Sequence, residues 1–131
     1  MEIKTKLYVV DSDGEKFMGI GVLWLLKGIE EQGSLRAAAM KLQISYSKAY
    51  KMVGNLEKYL GMAVVERHKG GSSHEGASLT EFGVRFMNLY DEFQQTAKAK
   101  LLEPFAQFSA QLDQLLNECH KEPKLWKNQS M

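Results

Sequence analysis

The sequence predicts a mainly α-helical fold with small β-hairpins, and three observations carry that expectation. Apolar residues recur at three-and-four spacing through most of the chain, from Ile20 to Cys119. Two short stretches, one near the N-terminus and one after Gly61, instead carry strand patterns next to Asp/Gly-rich or Gly/Ser-rich turn signals. Three capping residues, Ser34, Ser45 and Thr80, each stand directly before a helical run.

In Ile3-Lys4-Thr5-Lys6-Leu7-Tyr8-Val9-Val10, the residues Ile3, Thr5, Leu7 and Val9 alternate with polar or mixed positions, which is a strand pattern. Asp11-Ser12-Asp13-Gly14 is a turn signal, and Lys16-Phe17-Met18 can return as a second strand. This hairpin is expected to pack beside the helical core or a second subunit. From about Gly19 to Glu31 the pattern is helical, through Ile20, Leu23, Trp24, Leu26 and Ile29, with Gly33 as the left-handed stop. At this spacing Trp24 reads as a core aromatic rather than a ligand-stacking residue.

The segment Ser34–Leu60 reads as two short helices joined by a turn at Gln43-Ile44. Ser34 caps the first, and Ala37-Ala38-Ala39 lets another helix approach closely. Ser45 caps the second, whose apolar positions Ala49, Met52, Val53, Leu56 and Leu60 make one buried face. The opposite face carries Tyr46, Ser47, Lys48, Tyr50, Lys51 and Asn55. Hydroxyls and an amide suit base edges or phosphate oxygens, and ammonium groups suit phosphate charge. An ordinary helical hairpin with a solvated polar face would have the same pattern, so the residues beyond this helix decide between them.

Gly61 closes the second helix. Ala63-Val64-Val65-Glu66-Arg67 is then a short strand, residues 69–76 a glycine-rich loop, and Ala77-Ser78-Leu79 a returning strand. A strand, a loop with basic residues at its root and a returning strand make a wing. Glycines there let backbone run close to a phosphate. The whole is expected to be a winged helix-turn-helix with a long C-terminal dimerisation helix.

That last helix is expected from Thr80 to Glu103, with a stripe of Phe82, Phe86, Leu89, Tyr90, Phe93, Ala97 and Leu101. Pro104 breaks or restarts it, and Phe105, Phe108, Leu112, Leu115, Leu116 and Cys119 form a second stripe before Pro123. These stripes exceed what a small helical core can cover, so the excess reads as a subunit interface. The expected organisation is a DNA-binding domain with its leading hairpin over residues 1–80. Residues 81–131 supply the long helix, a second helix and a tail.

Formal net charge is only +1, which excludes a uniformly basic surface. Its distribution is uneven. Between Lys41 and Gly71, Lys41, Lys48, Lys51, Lys58, Arg67 and Lys69 stand against Glu57 and Glu66; between Leu89 and Glu118 acids outnumber bases. One pole therefore suits an anionic partner. The single cysteine, Cys119, rules out an internal disulfide and fits a reducing cytoplasm. No apolar run nears the roughly 20 residues of a membrane span, so no membrane partner is expected. The three histidines, His68, His74 and His120, have no zinc spacing, and no nucleophile, Walker or zincin motif is present. Neither a metal, a cofactor nor a catalytic activity is expected.

Ile44-Ser45-Tyr46-Ser47-Lys48-Ala49-Tyr50, Val65-Glu66-Arg67, Gly70-Gly71 with Gly76-Ala77, and Leu79-Thr80-Glu81-Phe82-Gly83 together resemble the N-terminal DNA-binding domain of the molybdate-responsive ModE regulators. They are more distantly similar to LysR-type winged helices, which share the L-T-x-x-G element after the wing. The resemblance covers about residues 3 to 100. It implies a dimeric winged-helix regulator with Tyr46, Ser47, Tyr50 and Lys51 at the DNA face. The sequence departs from the pattern at Gln43, where glycine is often found. It also stops before the oxyanion-binding domain of full-length ModE proteins, so no molybdate site is expected in this chain.

The expected function is a sequence-specific transcriptional regulator that binds double-stranded DNA as a homodimer through helices spanning 80–120. Helix 45–60 would enter the major groove, and wing 68–78 would lie on the backbone or minor groove. The candidate DNA contacts are Ser34, Ser45, Tyr46, Ser47, Lys48, Tyr50, Lys51, Asn55, Arg67, Lys69, Gly70 and Gly71. Lys48, Lys51, Lys58, Arg67 and Lys69 would anchor phosphates, while Tyr46, Ser47, Tyr50 and Asn55 would address bases. The alternatives are a winged-helix protein–protein adaptor without sequence-specific DNA binding and a structural module built on the long-helix dimer.

Overall fold

A computed structural model of the protein describes residues 1–69 and 75–122. The chain divides into two compact units. One is Lys6–Gln95, and the other consists of Met1–Thr5 with the chain from Thr96 onward.

In the first unit, strands β1 (Tyr8–Val10) and β2 (Lys16–Gly19) pair antiparallel, with Val9 opposite Met18. The Asp11 side chain accepts from the N–H groups of Asp13 and Glu15, at 2.8 and 2.9 Å, and so closes the turn between them. The expected strand from Ile3 to Val10 is cut to three residues. Its partner is too short to pair with more, and Leu7 is tied differently. Its carbonyl accepts from Gln94 Nε2 at 3.3 Å and from the Tyr90 hydroxyl at 3.5 Å. The hairpin packs on the helical core as expected, with Met18 fully buried and Phe17 stacked on Tyr59 at 3.7 Å between ring centroids.

Helix α1 (Ile20–Gln32) is the scaffold of the unit. Val22, Leu23, Leu25, Leu26 and Ile29 are all buried, and Gly33 ends the helix in the left-handed region at φ 75°. Trp24 is not in the core, contrary to expectation; it is 54% exposed. The buried arc of α1 is centred on the line through Val22, Leu25 and Ile29, and position 24 falls opposite it. Lys27 and Glu31, three and seven residues on, share that outer side. α2 (Leu35–Lys41) crosses close to α1 because Gly28 faces Ala38. A methyl group added at Gly28 would lie 3.0 Å from the Ala38 Cβ. The long helix α4 (Glu81–Lys100) is held to α1 by a 2.9 Å ion pair between Lys27 and Asp91. The hydrogen bond from Lys27 keeps the Asp91 carboxyl below the usual carboxylate range.

The buried line of α4 is Gly83, Met87, Tyr90 and Gln94. Of the expected stripe Tyr90 alone is buried, so most of it is the excess that the core leaves uncovered. Leu89 and Phe93 are 68% and 50% exposed, and Phe82 and Phe86 are only partly covered. The most apolar side of α4 is not the side that this unit uses. Helix α5 (Leu102–Lys121), in the second unit, has no buried residue, and Phe108, Leu115 and Leu116 are exposed on it. Pro104 restarts the helix rather than breaking it. It sits in the first turn of α5, where backbone N–H groups have no helical acceptor in any case.

Strand β3 (Val65–Lys69) pairs antiparallel with β4 (Glu75–Leu79), from Val65 opposite Leu79 to Lys69 opposite Glu75. The hairpin reaches further than the sequence pattern implied on both sides. Where β4 meets α4, the Thr80 hydroxyl accepts from Gly83 N at 2.9 Å and donates to the Ala63 carbonyl at 2.8 Å. Thr80 N donates to the Val64 carbonyl at 2.9 Å. Gly83 then lies directly on Val64, where a Cβ would overlap the carbonyl oxygen. The T-x-x-G spacing is thus a cap plus a helix–strand contact too tight for a side chain. Gly83→Ala should lower unfolding free energy by about 3 kcal/mol, the scale of an overpacked core, in chemical denaturation. A loss below a few tenths of that would contradict the packing.

Candidate nucleic-acid interface

Ser34 caps α2, its hydroxyl accepting from Ala37 N at 2.9 Å. The helix ends at Leu42, and Gln43 then adopts φ 59°, the single non-glycine residue at positive φ among the described residues. Ile44 N donates back to the Ala39 carbonyl at 3.1 Å, which closes the turn. Ser45 caps α3 (Tyr46–Leu60), accepting from Lys48 N at 3.0 Å. Ser34 and Ser45 both spend a side-chain lone pair on a helix start, so each is first a structural residue.

Helix α3 buries Ala49, Val53 and Leu56 against the core and ends at Gly61, in the left-handed region at φ 67°. Opposite that face, Ser47, Lys48, Tyr50, Lys51, Asn55 and Lys58 are exposed. Ser47, Lys51 and Lys58 fall on the outermost line, with Tyr50 on one edge and Lys48 and Asn55 on the other. Tyr46 differs from the rest of its predicted set. It is half-buried and packs against the core, so it offers an edge rather than a whole ring.

A row of cations and rings lines one edge of the helix. The Arg36 guanidinium, from the first turn of α2, lies 4.6 Å from the Tyr46 ring centroid. Tyr46 and Tyr50 rings are 6.3 Å apart, and the Arg67 guanidinium of β3 lies 4.5 Å from the Tyr50 ring. Arg67 is thereby brought from the wing to the exposed face of α3. Sequence reasoning misses Arg36, because helical periodicity describes one helix at a time and does not pair residues across a turn. Lys69 ends β3, and Gly70 and Gly71 lie outside the described residues.

Two acids near or within the basic segment also have placed roles. Glu31 pairs with Lys41 at 3.3 Å, which draws Lys41 away from the α3 face. Glu57 Oε2 accepts from Val64 N at 2.8 Å and Val65 N at 3.2 Å, joining α3 to the start of the wing. Among the described residues, Lys48, Lys51 and Lys58 make no ion pair. Their charge remains available to an anion.

Residues 23–84 match the family described as bacterial regulatory helix-turn-helix protein, lysR family. This segment is similar to LysR-type helix-turn-helix domains. The chain is 35% identical over 92 residues to the transcriptional regulator ModE of Yersinia pestis, covering 70% of this chain and 35% of that protein. It is 37% identical over 67 residues to the DNA-binding transcriptional dual regulator ModE of Escherichia coli K12, covering 51% and 26% respectively. The chain therefore spans about a third or less of the length of these relatives. The DNA-binding domain of CbnR, solved in complex with DNA, superposes with a TM-score of 0.53 at 28% identity, covering 63% of this chain and 90% of that one.

Within this segment, Glu57 is the residue that sets the wing against α3. Glu57→Ala should leave two backbone donors without their acceptor and destabilise the domain by roughly 2 kcal/mol. The accompanying sign is faster amide exchange at Val64 and Val65, measured by hydrogen–deuterium exchange. Unchanged exchange there would remove Glu57 from that role.

Proposed function

We propose that this chain is a cytoplasmic, sequence-specific DNA-binding transcriptional regulator that works as a homodimer. The observation that carries the reading is the outer face of α3. Ser47, Tyr50, Lys51 and Lys58 stand exposed on a helix capped at both ends, beside a wing strand that contributes Arg67. The ModE relatives, named as transcriptional regulators, support it. In this reading the N-terminal half of α3 enters the major groove and the β3–β4 wing follows the backbone or minor groove. Ser47, Tyr50 and Asn55 address base edges, with the rim of Tyr46. Lys48, Lys51, Lys58, Arg67 and Lys69 neutralise phosphates, and Arg36 joins them.

The homodimer forms through the helices spanning 80–120. Leu89 and Phe93 on α4, and Phe108, Leu115 and Leu116 on α5, are large apolar side chains exposed in the single chain, and they support this interface. A two-fold dimer presents two recognition helices roughly 34 Å apart and selects a pseudo-palindrome. Selection of bound fragments from a random duplex library tests both statements. A palindromic consensus is expected, and recovery of unrelated sequences would overturn the reading. On the selected duplex, Lys51→Ala should weaken binding to all sequences alike and flatten the salt slope by about 0.9, one phosphate contact. An unchanged slope removes Lys51 from the phosphate-binding set.

Gly54 extends the same face. It lies in mid-helix on the exposed side of α3, and a methyl group added there would meet nothing within 4 Å. Its φ is not positive, so neither packing nor backbone conformation requires glycine. An exposed helical glycine costs about 1 kcal/mol relative to alanine. Between Lys51 and Lys58, the missing side chain lets a duplex approach the helix backbone closely. Gly54→Ala should therefore raise stability by about 1 kcal/mol and weaken duplex binding by roughly tenfold. Thermal melts and fluorescence anisotropy read the two effects. Stabilisation without loss of affinity would show that the duplex does not come close at this position.

A further inference from the structure

We infer that the cleft beside Trp24 is a binding site for a small aromatic carboxylate, placed so that its occupant and duplex DNA oppose one another. Trp24 is the large apolar residue of α1 that the core leaves out, while its neighbours Leu23 and Leu25 are at most 1% exposed. Its indole walls a cleft of about 420 Å³ between β2, α1, the helix-turn-helix turn and α3. That volume is within the usual range of small-molecule sites, and it suits a one- or two-ring ligand. Phe17, Ile44 and Met52 contribute apolar lining, and Gly21 supplies no side chain to fill the space.

The charged side chains that line the cleft are all of one sign. Lys16, Lys48 and Asn55 line it, and among the described residues no acid does. Lys48 makes no ion pair among the described residues, and the Lys16 ammonium lies over the Tyr8 ring at 5.3 Å rather than on a carboxylate. An apolar, aromatic-walled cleft with two cations and no anion is complementary to a flat hydrophobic body carrying one negative group. Lys48 and Asn55 also stand on the edge of the face assigned to DNA. A carboxylate bound to Lys48 withdraws that cation from phosphate. By linkage, the duplex must weaken the ligand as much as the ligand weakens the duplex. Ligand binding stands independently of the DNA reading; the opposition rests on it.

The test titrates the full chain, labelled with ¹⁵N, with indole-3-acetate and in parallel with its neutral analogue indole-3-acetamide. Saturable shifts of the Trp24 indole N–H and of the Gly21, Ile44 and Met52 amides are expected. The carboxylate should bind about tenfold more tightly than the amide. Trp24→Ala, a change at an exposed position, should abolish the shifts at the three amides. Absence of saturable shifts at millimolar probe, equal binding of the two probes, or shifts that survive in Trp24→Ala would each overturn the site. In a second arm, saturating indole-3-acetate should weaken binding of the wild-type chain to its selected duplex and leave Trp24→Ala unaffected. Equal duplex binding with and without the probe would overturn the opposition. If the wild-type chain binds no duplex, the DNA reading falls and the titration still decides the site.

Discussion

The geometry of the proposed recognition face depends on three residues, Ala63, Val64 and Val65, which link α3 to the wing. Their backbone groups are claimed from both sides. Glu57 of α3 accepts the N–H groups of Val64 and Val65, while Thr80, at the head of α4, takes the carbonyls of Ala63 and Val64. Val64 is itself fully buried, so any of these groups left unmatched would carry a desolvation cost. Gly83 then allows α4 to rest directly on the same residue. A wing held this way cannot swing independently of α3, and Arg67 can reach Tyr50 only if the wing keeps that angle. The chemistry of the face is thus set by a joint that contains none of the proposed DNA-contacting side chains.

Charge is organised locally rather than by the total. A net charge of +1 gives no field of consequence over the whole molecule, yet fixed cations act where they are held. Arg36 and Arg67 lie over tyrosine rings, an arrangement that restricts long side chains without neutralising them. Lys41, the nominal start of the basic segment, is bound to Glu31 instead. Two arginines that lie over tyrosine rings, and three lysines with no ion pair among the described residues, therefore make up the proposed anion-binding side. At physiological salt, charges separated by more than about 8 Å are screened from one another. Such a cluster consequently matters more than the balance of the chain.

Much of the architecture is legible in the sequence because local chemistry writes it. Ser34, Ser45, Gly33, Gly61 and Thr80 cap the helices that their positions predict, and the α3 face follows its 3.6-residue period. The departures share a cause. Apolarity assigns Trp24 to the core and leaves open which side of α4 the core takes, whereas helix phase decides both. Lys27 and Glu31 mark the outer side of α1, and Gly83, with no side chain to bury, marks the inner side of α4. Alternation overextends the strand from Ile3, because it describes a potential to pair and not the length of the partner. Tyr46 counts as exposed by its place in a polar series, but Arg36 and the core cover part of it. Contacts between Glu57 and the wing root, or between Arg36 and Tyr46, join residues on different elements, and no periodicity within either element encodes them.

The turn before α3 bears on how firmly that face is held. Gln43 sits in a left-handed conformation that costs a non-glycine residue about 1 kcal/mol or somewhat more. Glycine would relieve that cost but would also widen the conformations open to the unfolded chain. Leu42 and Ile44, on either side, pack against the core, and Ile44 N is bonded to the Ala39 carbonyl. Both neighbours are therefore fixed, and the intervening residue has little choice of φ. The strain is local and the constraint that imposes it is tertiary. With Gly61 closing the other end and Glu57 bonding onward, α3 is anchored at its start, along its buried face and at its exit. An element held at three places has few soft directions left, so its outward side chains meet a partner with little ordering still to be done.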